Sequence, residues 1–138
     1  LLEMGQFTET MEMIKEEKTR NPNLAEPNLL AAEDFDRKGQ FKECAAEYSL
    51  AIKLKSNSAD LYVKAATCYR KSDAIDIAQD MLDIAKQRES GFPGIYREQG
   101  YVFEKKGLPQ QAKEAFGLYL ELSPNALDRS EIESKMAH

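Results

Sequence analysis

The chain has no tryptophan, one histidine, two cysteines, seven glycines and five prolines among its 138 residues. The lone histidine, His138, is the last residue, which removes histidine-based catalysis and any multi-histidine metal centre. Cys44 and Cys68 fit neither a disulfide framework nor a zinc-ligand spacing. They read as small buried apolar residues carrying free thiols, which favours the cytoplasm slightly over the periplasm as a location otherwise unknown. No apolar run approaches the ~20 residues of a membrane span, and nothing resembles a signal peptide. An excess of positive charge is missing too. The net charge of −5 argues against a general nucleic-acid binder, which needs a basic surface to displace counterions.

What is present is helical. Aliphatic residues, Ala, Glu and Lys dominate, and Gly and Pro are too few to punctuate many turns. Carboxylate pairs such as Glu33 and Asp36 lie one turn apart, the ordinary pattern of a solvated helix face. With no pocket motif, phosphate loop or nucleophile–base pair, the expectation is a protein that is not an enzyme. No catalytic residue, metal ligand or cofactor is assigned. The chain begins at Leu1, and the expectation is a fragment of a longer protein.

Shifting the sequence against itself by 34 residues aligns its punctuation. Gly5, Gly39, Asp73 and Gly107 share one column, and Phe35, Tyr69 and Phe103 another. Ala32, Ala66 and Gly100 align, as do Ile14, Tyr48, Leu82 and Phe116. Each period reads as two helices. In the last one, Pro93 opens the first helix, Lys105 and Lys106 precede a terminating Gly107, and Pro109 opens the second. Ala112, Ala115, Phe116, Tyr119 and Leu120 then recur on one helical face. Ser72 is placed to cap the helix starting near Ala74, and Ser130 with Glu133 fits a capping box. Small Ala66 or Gly100 facing Ala78 or Ala112 lets paired helices approach closely, and such hairpins must stack to bury their apolar faces.

At these residues the sequence resembles the tetratricopeptide repeat family, whose spacing Tyr96, Gly100, Phe103, Gly107, Ala112, Phe116 and Pro124 follow. The resemblance implies an all-α right-handed superhelix of antiparallel helix pairs, a solenoid of three full repeats at 25–58, 59–92 and 93–126. An N-terminal half repeat, 1–24, and a C-terminal helix, 127–138, flank them. It also implies a protein-interaction scaffold whose concave groove holds a partner peptide or helix, as in an assembly factor of a bacterial complex. The alternative is a structural spacer, or a segment that self-associates into a homo-oligomer through exposed terminal repeats.

Carried over by spacing, the groove candidates are Leu29, Glu33 and Arg37 in the first repeat, Lys64, Thr67, Arg70 and Lys71 in the second, and Arg97, Tyr101 and Lys105 in the third. The family's carboxylate clamp is not expected. Its places hold Leu29, Glu33, Lys64, Gly94 and Glu98, of which one is cationic and two are acidic. What remains is a mildly basic, partly aromatic patch suited to an acidic or amphipathic peptide.

Overall fold

The computed structural model describes residues 25–54 and 58–137, so the expected half repeat at 1–24 lies outside the described residues. Among the described residues the chain is all helical. The helices are α1 (Glu26–Arg37), α2 (Phe41–Leu54), α3 (Ala59–Lys71), α4 (Ile75–Arg88), α5 (Pro93–Lys105), α6 (Pro109–Leu122) and α7 (Arg129–Met136). They fall into two compact units, α1 and α2 in the first and α3 to α7 in the second.

The aligned Gly, Asp and aromatic columns become three copies of one turn. Gly39, Asp73 and Gly107 have φ of 75°, 72° and 73°, the left-handed region that ends a helix. Each is followed by an amide that reaches back to the aromatic column. Gln40 N donates to Phe35 O at 2.9 Å, Ala74 N to Tyr69 O at 2.8 Å, and Leu108 N to Phe103 O at 2.9 Å. The left-handed residue itself donates three residues back, to Asp36, Arg70 and Glu104, at 3.1, 3.0 and 3.1 Å. This paired closure satisfies carbonyls that a helix end would otherwise leave bare. It folds α1 against α2, α3 against α4 and α5 against α6 as antiparallel hairpins.

Two sequence expectations about caps fail at this level. Ser72 does not cap α4; its hydroxyl donates back to Tyr69 O at 3.0 Å, closing α3, and the α4 N-cap is Ala74, with no side-chain bond. Ser130 forms no capping box, because α7 begins at Arg129 and Glu133 instead pairs with that residue at 3.3 Å. Prolines behave as expected: Pro93 and Pro109 are the first residues of α5 and α6, where a missing N–H costs nothing.

In the second unit α5 packs on α6 along its length and also rests on α3 and α4, while α7 rests on α6. Phe116, Leu82, Ile95, Val102 and Ile132 are wholly buried, each worth roughly 1.5–3 kcal/mol of apolar burial. Gly100 decides the α5–α6 spacing. A methyl group there would overlap the ring of Phe116, so the absent side chain is the space that the ring fills. Ala66, Ala78 and Ala112 are buried in the same way, as the small-residue column predicts. Cys44 and Cys68 are buried, but neither is a free thiol. The free-thiol expectation is corrected, and the preference for the cytoplasm loses its basis. No described helix is long and apolar enough to cross a membrane.

Candidate functional site

The candidates of the second unit stand on α3 and α5, the first helices of their hairpins. Turn-by-turn spacing puts Lys64, Thr67 and Lys71 along one stripe of α3, and Arg97, Tyr101 and Lys105 along one stripe of α5. Lys64, Lys71 and Lys105 are exposed, and Thr67, Arg70, Arg97 and Tyr101 are half-buried. Leu29, Glu33 and Arg37 belong to α1 in the first unit. There Leu29 is half-buried, its neighbour Leu30 is 53 % exposed, and Arg37 pairs with Asp34 at 2.9 Å and Glu33 at 4.0 Å.

Arg70 is engaged inside the fold. Its Nε and Nη2 donate to the two carboxylate oxygens of Glu98 at 2.7 and 3.0 Å, a fork that cross-links α3 to α5. The side chain of Glu98 is only 3 % exposed, so the acid that the sequence reading placed on the groove floor faces inward. The Arg70 guanidinium also lies 4.7 Å from the centre of the Tyr101 ring. Lys135, from α7, stands 5.2 Å from the same ring and pairs with Glu104 at 3.6 Å. The edge-to-face contact of Tyr101 with Phe116, at 5.3 Å and 79°, anchors the ring to the core. Burial pushes the Tyr101 phenol above the usual tyrosine value, and nearby Glu131 adds to the shift.

Arg97 reaches the start of α7. Its Nη1 donates to Asp128 Oδ2 at 3.4 Å, while the Tyr119 hydroxyl donates to Oδ1 at 2.6 Å. Burial raises the Tyr119 pKa, and the bond to Asp128 raises it further. For Arg97 burial opposes the charged form, yet the charges of Tyr119 and Asp128 outweigh it, and its pKa is raised. Two candidates are simpler. Thr67 donates its hydroxyl back to Val63 O at 3.0 Å, and Lys64 forms an exposed pair with Asp60 at 3.2 Å, worth at most ~1 kcal/mol.

The cluster therefore includes Asp128, Glu131 and Lys135, which the sequence reading did not place in the site. One more step of the same period would have found them. Asp128 follows Asp60 and Gly94 in their column, Glu131 follows Arg97, and Lys135 follows Thr67 and Tyr101.

No protein-family model matches the chain, and no curated protein matches it. Solved structures do. A thermophilic TPR protein of Thermus thermophilus, TTC0263, superposes with a TM-score of 0.77 at 20 % identity, over 98 % of this chain and 75 % of that one. The Arabidopsis OM64 TPR domain gives 0.73 at 18 % identity, covering 82 % and 93 %. The TPR2B domain of yeast Sti1, in a complex with pHsp70, gives 0.74 at 17 % identity, also covering 82 % and 93 %. The fold is thus the tetratricopeptide-repeat fold. At these identities the likeness is one of architecture.

Proposed function

We propose that this chain is a protein-interaction scaffold that receives a partner peptide or helix on the first-helix faces of its repeats. The observation that carries the reading is the row on α3 and α5, where exposed Lys64, Lys71 and Lys105 flank the half-buried Arg97 and Tyr101. The weak Lys64–Asp60 pair is easily traded for a carboxylate of a ligand. A like-folded domain in a complex with pHsp70, that of yeast Sti1, supports the class of function. The same reading divides the chain into repeats at 25–58, 59–92 and 93–126 with flanking segments, and assigns it to assembly of a bacterial complex. Only its bacterial part draws support from a neighbour, the like-folded TTC0263 of Thermus thermophilus. It invokes no catalysis, because the cluster spends its charged groups on one another. A chaperone-tail clamp is not part of this reading. Glu98 is paired with Arg70, and by sequence spacing Leu29 and Glu33 take two of the places at which the clamp needs donors.

Selection of displayed peptides against the full chain tests this. Enriched peptides are expected to lose binding to Lys64→Glu/Lys105→Glu; equal binding to both proteins removes this face from the site. Arg70 is a poor probe, since reversing it breaks the core.

A second reading, self-association through a terminal repeat, has one observation in its favour. An open depression of ≈ 620 Å³ between α6 and α7 is lined by Gly117, Leu120, Pro124 and Met136 together with the charged Glu121, Arg129 and Glu133, and Leu118, Leu122 and Leu127 of the same segment are exposed. Light-scattering mass across a concentration series decides it: a constant monomer excludes this reading.

A further inference from the structure

The start of α7 is held by an unusual trade. Asp128 is its N-cap residue, and an Asp there ordinarily accepts from the amides of its own first turn. Here the side chain makes no capping bond. Both carboxylate oxygens are given instead to Tyr119 on α6 and Arg97 on α5. The other end of α7 is held by Lys135 on Glu104 and over Tyr101. Between them Ile132 is the one wholly buried side chain of the helix. An eight-residue helix has almost no stability of its own, so α7 depends on its contacts with the rest of the unit, these three among them.

We propose that Arg97, Tyr119, Tyr101 and Glu104 form a docking site for a short, charged helix of a partner protein, which α7 fills in cis in this structure. The inference rests on the reading of α5 as part of the receiving face. The chemistry of the occupant is written in α7 itself. It carries a carboxylate for Arg97 and Tyr119, an aliphatic residue four positions on for the Ile132 pit, and a cation three positions further for Glu104 and the Tyr101 ring. A partner helix with Asp-x-x-x-Ile-x-x-Lys spacing meets the groups that Asp128, Ile132 and Lys135 meet. Arg97 is half-buried and Asp128 retains a quarter of its side-chain exposure, so a competitor can approach the charged end first. The site is occupied at rest, and binding is an exchange of one helix for another.

The test uses a fluorescein-labelled peptide of the α7 sequence, LDRSEIESKMA, read by anisotropy against the full chain. Wild type is expected to bind it weakly, because the tethered helix holds the site. Asp128→Ala/Ile132→Ala is expected to bind at least tenfold more tightly. That gain should vanish when Arg97→Ala is added, or when the Asp of the peptide is replaced by Ala. No gain in the double variant, or a gain that survives either change, overturns the proposal.

A second measurement needs no variant. Excess peptide added to wild type should speed hydrogen exchange of the α7 amides while those of α3 to α6 keep their protection. Unaltered α7 exchange at saturating peptide overturns the proposal as well. The scaffold reading fails separately. Selected peptides that need Lys64 and Lys105 but ignore Asp128→Ala/Ile132→Ala leave that reading standing and remove this one.

Discussion

Arg70 and Glu98 lie 28 residues apart in sequence and meet in a two-bond fork, with the carboxylate almost wholly out of water. A charge buried this deeply depends on its partner. Removing only the cation leaves an uncompensated carboxylate, which typically costs about 3–5 kcal/mol. Arg70→Ala is therefore expected to lower thermal stability far more than Lys64→Ala, whose exposed pair contributes at most ~1 kcal/mol. Arg70→Met/Glu98→Leu, which removes both charges together, should recover most of the loss. Chemical denaturation of the four proteins checks the ordering, and an Arg70→Ala cost no larger than that of Lys64→Ala would show that the fork holds nothing. Gly100 gives a second residue-level test. An added methyl collides with the Phe116 ring, which is wholly buried and has nowhere to turn. Gly100→Ala is expected to cost roughly 1–3 kcal/mol by overpacking, with partial rescue by Phe116→Leu.

At the scale of the element, the three hairpin turns share one geometry and differ in one residue. Gly39 and Gly107 adopt positive φ freely, whereas Asp73 holds φ 72° with a side chain attached. Asp73→Gly is therefore expected to be neutral or to stabilise by up to about 1 kcal/mol, and Gly107→Ala to destabilise by about 1–2 kcal/mol. Nothing stands within contact of a methyl at Gly107, so the loss there would be one of backbone conformation alone. Denaturation midpoints measured side by side check both signs.

These turns also mark what could be read from sequence. The columns of Gly, small and aromatic residues sit where local backbone rules and a repeated period agree, and the helices follow within a residue or two. Cap partners were not legible. Ser72 can serve the helix behind it or the helix ahead, and only the folded turn decides, through its bond to Tyr69. The site was legible in its positions and not in its pairing. Spacing places Arg70 and Glu98 on first helices, but whether they face a ligand or each other depends on how closely α3 and α5 pack.

For the molecule as a whole, the network of α5, α6 and α7 ties stability to alkaline pH. Tyr101 and Tyr119 both have raised pKa values, chiefly because burial disfavours the phenolate, with acidic neighbours adding to it. A raised value means that the folded protein holds these protons more tightly than the unfolded chain does. Their contribution to stability is thus complete below about pH 10, the ordinary tyrosine value, and is lost as pH climbs through the higher folded values. Ionised Tyr119 would face the Asp128 carboxylate as a like charge where it now donates a hydrogen bond. The start of α7 should then come loose before the hairpins unfold. Thermal midpoints are expected to fall above about pH 10, with a shallower fall in Tyr119→Phe, which has no proton to lose. Phenolate absorbance should show a late-titrating step that the same variant reduces. If Tyr101→Phe and Tyr119→Phe both keep the alkaline fall of the wild type, these tyrosines do not carry it, and the link between α7 and its tyrosine partners is weaker than the geometry implies.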